Sequence, residues 1–120
     1  MLAGSLFMLL AVGAGAFGAH ALSGYFQRHP SYEATFETAV RYHMMHALAL
    51  FVVAFALTRY DAVGLLSAAG WLFIAGIILF SGSLYLLVAT RIGVLGAVTP
   101  LGGVAFIAGW AALFAAAWRA

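Results

Sequence analysis

"GLLSAAGWLFIAGIILFSGSLYLLVA", residues 64–89, runs on without one charged side chain. About 20 residues of α-helix cross the hydrocarbon core of a bilayer, and an uncharged apolar run of this length is the pattern of a transmembrane helix. In lipid every backbone donor and acceptor must be satisfied within the segment, so the run is a helix. Three more such runs lie outward from it, over residues 2–20, 38–57 and 100–118. The breaks between them are residues 21–37, 58–63 and 90–99. The 120-residue chain therefore reads as one all-α domain, an integral membrane bundle of four transmembrane helices.

Composition agrees. With 67% hydrophobic residues, 7% charged and a mean hydropathy of +1.13, there is too little polar surface to clothe a water-facing globule. The absence of cysteine excludes a disulfide frame, a thiolate metal site and a cysteine nucleophile. All five basic residues are arginine and they form no run, which argues against a nucleic-acid partner. "AHA" at 19–21 has the small-x-small look of a signal-peptide cleavage site, but no Lys or Arg precedes the apolar run. The first span is expected to be a membrane helix.

Local signals refine the ends. Pro30 suits a first-turn position, so the second helix is expected to start before the membrane does, with Glu33, Glu37 and Arg41 as one charged stripe. "TP" predicts Thr99 as N-cap and Pro100 as the first helical residue of the fourth helix. Trp118 and Arg119 are an aromatic and a basic anchor at its other end. Arg59 and Arg119 fall on one side of the membrane, and Arg28, Arg41 and Arg91 on the other. This bias is too small to orient the chain by itself.

Alternating helix direction brings most polar groups into one half of the bundle. His20 ends the first helix, Tyr42 and His46 lie near the start of the second, Ser81, Ser83 and Tyr85 near the end of the third, and Thr99 opens the fourth. At about 100° per residue, Thr35, Ala39, Tyr42, His46, Ala49 and Val53 share one face, read as inward. Val40, Met44, Leu48, Phe51 and Phe55 share the opposite face, read as lipid-facing. Ser81 and Tyr85 share a face while Ser83 points away with Gly76, so the third helix is expected to have protein on both sides. Thr99, Gly103, Phe106 and Trp110 line up on the fourth. On the first helix Gly4, Ala11, Gly15 and Gly18 form a small stripe opposite Gly13 and His20. Small residues let helices approach closely, and two such faces suggest a homo-oligomer.

"RYHMMHALAL", residues 41–50, admits three readings. A copper or haem site is disfavoured because His43, Met44, Met45 and His46 step around the helix and cannot all face one ion; no metal and no cofactor is expected. A buried polar network would be interhelical glue, the ordinary outcome for polar groups at membrane depth. The same network around a pocket, with the positive end of the fourth helix aimed at it, would hold a lipid headgroup, a quinone or a small anion. The candidate ligand-binding residues are His20, Tyr42, His46, Ser81, Tyr85 and Thr99. No Asp or Glu lies deep in a span, "FSGSLY" lacks a nucleophile elbow and an orienting acid, and "GAGAFGA" lacks the setting of a dinucleotide fingerprint. The chain is expected not to be an enzyme.

"GAFGAHAL" (15–22), "FETAVRYHMMHALAL" (36–50), "FSGSLYLL" (80–87) and "TPLGGVAFIAGW" (99–110) resemble domain-of-unknown-function family 423. These small membrane proteins have YgdD-like and YwdK-like members and are related to mitochondrial transmembrane protein 256. The resemblance covers nearly the whole chain. It implies four helices in the bacterial inner membrane with both termini cytoplasmic, and so a polar cluster in the outer half. His20, Tyr42, His46, Ser81, Ser83, Tyr85, Thr99, Gly102, Gly103 and Trp110 match its motif positions, whereas His43 stands where the family usually has glutamine. The resemblance implies no established activity; the role expected from the residues is an accessory or binding protein among membrane lipids, with a membrane partner protein as a further expectation. The alternatives are an oligomeric small channel or carrier, and a purely structural bundle.

Overall fold

The computed structural model describes residues 1–119. Its order is α1 (Leu2–His20), α2 (Ser23–Arg28), α3 (Pro30–Ala56), α4 (Val63–Gly76), a π-helical turn (Ile77–Gly82), α5 (Ser83–Thr90), a 3-10 turn (Gly93–Ala97) and α6 (Thr99–Trp118). There is no strand among the described residues. α4, the π turn and α5 run on as one span, and four helices in all are long and apolar enough to cross a membrane. The fold is an all-α integral membrane bundle.

α3 begins at Pro30, inside what composition alone reads as a loop. α2 lies in that same break and is too short to cross a bilayer. It folds back because Phe26 buries against Phe36 and Val88, while the Tyr25 hydroxyl donates to the Val88 carbonyl at 2.7 Å. The Thr99 expectation is corrected: α6 already includes Thr99, Val98 is its N-cap, and no side chain caps it. The 3-10 turn runs almost directly into the helix, and the Thr99 hydroxyl is left to pair with Ser83 at 2.9 Å.

α3 is the central element, with α1 on one side and α4, the π turn and α5 on the other; α6 packs on α4 and the π turn and reaches α3 through Phe106 and Trp110. That double coverage corrects the reading of its two faces. Phe51 sits against Gly4, Val40 against Gly15, and the Phe36 ring against Gly18. The α1 stripe is thus filled from within the chain, and nothing lies within 4 Å of where a Cβ on Gly13 would be. Bulky side chains enter the notches because small residues let the two backbones close up around them. Met44, Leu48 and Phe55, the rest of the face read as lipid-facing, are exposed.

On the other side, Ala49, Leu50, Val53, Ala69, Phe73, Ile77 and Phe106 form the main core. Close approach between α4 and α6 relies on Gly76 against Phe106 and Gly109 against Phe73. The π turn holds an extra residue relative to an α-helical turn, which changes the phase of α5 relative to α4. Both Ser81 and Ser83 are then buried, Ser81 toward α3 and Ser83 toward α6. The third span has protein on both sides, as its small and polar faces predict.

Candidate functional site

His46 is 2% exposed and its ring is used on every side. Nδ1 lies 2.8 Å from the Tyr42 carbonyl, one helical turn back. Nε2 lies 3.1 Å from Trp110 Nε1. The face of the ring stacks on Phe106, centroids 3.4 Å apart and planes within 8°. A carbonyl only accepts and an indole N–H only donates, so the imidazole is neutral with its proton on Nδ1, and both nitrogens are occupied. A ligand or metal would have to displace Trp110 to reach a lone pair. No group of three or more His, Cys, Asp or Glu is placed to hold a metal ion among the described residues.

The other expected site residues separate. Tyr42 is 37% exposed, with its ring on Phe80 at 4.5 Å and stacked beside His46 at 6.0 Å; the hydrogen bond it gives His46 comes from its backbone carbonyl, not its hydroxyl. Ser81 donates to the Ala39 carbonyl at 2.8 Å. Ser83 donates to the Phe80 carbonyl and pairs with Thr99. His20 is exposed at the end of α1, where its carbonyl accepts from Ser23, and it does not join the others. These groups do not form one network: Ser81 bonds to α3 and Ser83 to Thr99 of α6. Ser81→Ala removes one interhelical hydrogen bond, and we expect a loss of about 0.6 kcal/mol, at most ~1.7. Equilibrium unfolding in bicelles measures it.

His43, disfavoured on sequence grounds, is brought inward by the structure. It is 5% exposed. Nδ1 lies 3.3 Å from the Tyr85 hydroxyl, and Phe7 of α1 meets the ring edge-on at 5.8 Å. Nε2 is buried with no hydrogen-bond partner, the one such side-chain atom among the described residues. The ring borders a cleft of about 530 Å³ between α1, the third span and the loop before α6, lined mainly by Phe7, Ile78, Leu79, Leu86, Leu95 and Val98. No charged residue lines it.

The signal for His43 was in the sequence but lacked resolution. His43 and His46 lie about 60° apart around a helix, too close for phase to assign them different surroundings. Trp110 was visible as aligned with Thr99, Gly103 and Phe106 on the fourth helix and as a family motif position, but not as a partner of His46. A second depression of about 510 Å³ lies at the opposite end, bordered by Arg59, Asp61 and Arg119. Those three side chains are exposed.

Among known proteins, the family profile described as "Protein of unknown function (DUF423)" matches residues 14–103. The chain is similar to the UPF0382 membrane protein YwdK of Bacillus subtilis, with 54% identity over 95% of this chain and 91% of that one. It is also similar to the UPF0382 membrane protein SAB0533 of Staphylococcus aureus, 47% identical over 97% and 92% of the two chains. The UPF0382 membrane protein SH2409 of Staphylococcus haemolyticus is 41% identical over the same shares. No solved structure matches.

Proposed function

The chain belongs to the DUF423 family of membrane proteins of unestablished activity, and from that premise we propose that it is an accessory protein that holds a small molecule drawn from the lipid phase. The carrying observation is His43 Nε2, a buried nitrogen without a partner beside an apolar cleft. An unsatisfied buried polar group costs about 1–3 kcal/mol, and a ligand that completes the bond recovers that cost. The volume is within the usual range for small-molecule pockets, and a few convergent polar groups in an apolar lining are their usual composition.

The proposed role is binding, not catalysis. Ser83 has its hydroxyl committed to Phe80 and Thr99, and no carboxylate borders the cleft. The proposed setting is the bacterial inner membrane with both termini cytoplasmic and the cleft in the outer half. Active fluorescence from a green fluorescent protein fused at the C-terminus supports that orientation; a dark fusion with an active periplasmic phosphatase fusion reverses it. The surface of α1 turned away from α3, with Leu6, Leu9, Leu10 and Phe17 exposed, is the place for a second copy or a partner protein.

Native mass spectrometry of the protein released from its own membrane tests the binding reading. We expect a retained mass on the wild type that is lost from His43→Leu while the assembly state is unchanged. The bare chain in both would reduce the histidines to packing. His46 fits that structural role, since both of its nitrogens are satisfied from within the chain.

A further inference from the structure

The cleft beside His43 has a chemistry that narrows what it takes. Its lining carries no formal charge, so an ionised phosphate or ammonium gains nothing by entering. Most of the wall is aliphatic or aromatic, which suits hydrocarbon. Among its polar side chains, Ser83 is already paired twice, leaving the His43–Tyr85 pair as the element of recognition.

The direction of that pair decides which half of a hydrogen bond is missing. A phenol is a better donor than a neutral imidazole N–H, and an imidazole nitrogen a better acceptor than a phenol oxygen. Tyr85 therefore donates to His43 Nδ1 across the 3.3 Å contact, and the ring proton is on Nε2. That atom is a donor in need of an acceptor. Phe7 covers the ring edge-on, but Phe7 is itself only half-buried and belongs to α1, the least enclosed of the four spans. Phe7 and His43 line the cleft together.

We infer that the cleft takes a neutral, largely hydrocarbon molecule by a single carbonyl oxygen, with His43 Nε2–H as the donor and Tyr85 as the residue that positions its proton. The inference rests on the binding reading above and deepens it. Two membrane components carry this chemistry, an ester-linked lipid and a quinone. The same contact serves either.

Nanodiscs separate them. Diphytanoyl and diphytanyl phosphatidylcholine share their chains and headgroup, but the first is ester-linked and the second ether-linked, without carbonyls. The purified protein is reconstituted in ether-lipid discs, with the ester lipid titrated in one arm and decylubiquinone in the other. Molecules retained per chain are then counted by native mass spectrometry. We expect one carbonyl probe to be retained over the ether lipid, with His43→Leu weakening it about tenfold, the equivalent of one hydrogen bond. His43→Gln, which keeps an N–H donor, is expected to restore retention to within about threefold. Retention of the ester lipid assigns an acyl lipid, and retention of decylubiquinone assigns a quinone.

Ether lipid held as tightly as ester lipid, with no quinone, overturns the carbonyl class and leaves the binding reading standing. So does a mass carried from the native membrane with none from these discs. Equal retention by wild type and a folded His43→Leu removes His43 from recognition. A bare chain in every disc and from the native membrane overturns both readings.

Discussion

Gly102→Ala is expected to lower the stability of the bundle by about 3 kcal/mol or more, above the ordinary range for one added methyl group. A Cβ at this position would meet the backbone nitrogen of Phe80, with the Phe80 Cα 2.8 Å away. At Gly18, Gly76 and Gly109 the nearest atoms belong to an aromatic ring, which a shift of side-chain torsion can relieve. Phe80 presents main chain, and it lies inside the π turn, whose position also sets Ser81 on α3 and Ser83 on α6. Relief requires α6 to back away, which would pull Thr99 from Ser83 and loosen Phe106 on His46. Gly13→Ala is the matched control: open space surrounds its Cβ, and the expected change is within about 0.5 kcal/mol. Equilibrium unfolding of both variants in bicelles, followed by far-UV circular dichroism, measures the difference. Equal stability of the two would mean that the α6 contact on the π turn is looser than described.

His46→Ala is the second large effect, with an expected loss of about 2–4 kcal/mol. The side chain fills the space between Tyr42, Phe73, Phe106 and Trp110, and truncation leaves a void among rings that have little else to close on. It also strands the Trp110 N–H in a setting without water. His46→Phe divides the two causes. It keeps a ring over Phe106 and gives up both hydrogen bonds, so we expect it to lose only about 1–2 kcal/mol. A His46→Phe variant as unstable as His46→Ala would show that the hydrogen bonds, not the stacking, hold this part of the bundle.

The four spans were legible in the sequence because lipid leaves few options: a long uncharged run has to be helical, and the ends of such runs are marked by proline and charge. The polar half of the molecule was legible for the same reason, since connectivity alone dictates which ends of the helices share a side. Pairings were not. Phase gives an angle around one helix but says nothing of how many neighbours that helix has, and α3 is covered on two sides. Val40 and Phe51, read as facing lipid, consequently fill the notches of α1. The π turn was equally hidden, because an i to i+5 turn inside an apolar helix has no composition of its own.

The candidate site shows the same limit. Sequence put Tyr42 and His46 first on periodicity and set His43 aside on the family pattern. Geometry gives His46 a complete set of partners and leaves His43 with one nitrogen unmet. What separates them is the reach of Trp110 across from α6, a contact between residues 64 apart in the chain, which no local pattern encodes.

The division of labour between the two histidines is open to one direct test, nitrogen NMR of the protein in lipid bilayers with its histidines and tryptophans labelled with ¹⁵N. His46 should appear as a neutral ring protonated on Nδ1, with a scalar coupling from Nε2 across the hydrogen bond to Trp110 Nε1, unchanged when a carbonyl-bearing lipid or quinone is added. The Nε2 resonance of His43 should move on that addition. A His46 without the coupling, or a His43 indifferent to every added molecule while His46 responds, would contradict the assignment of glue to one histidine and ligand to the other.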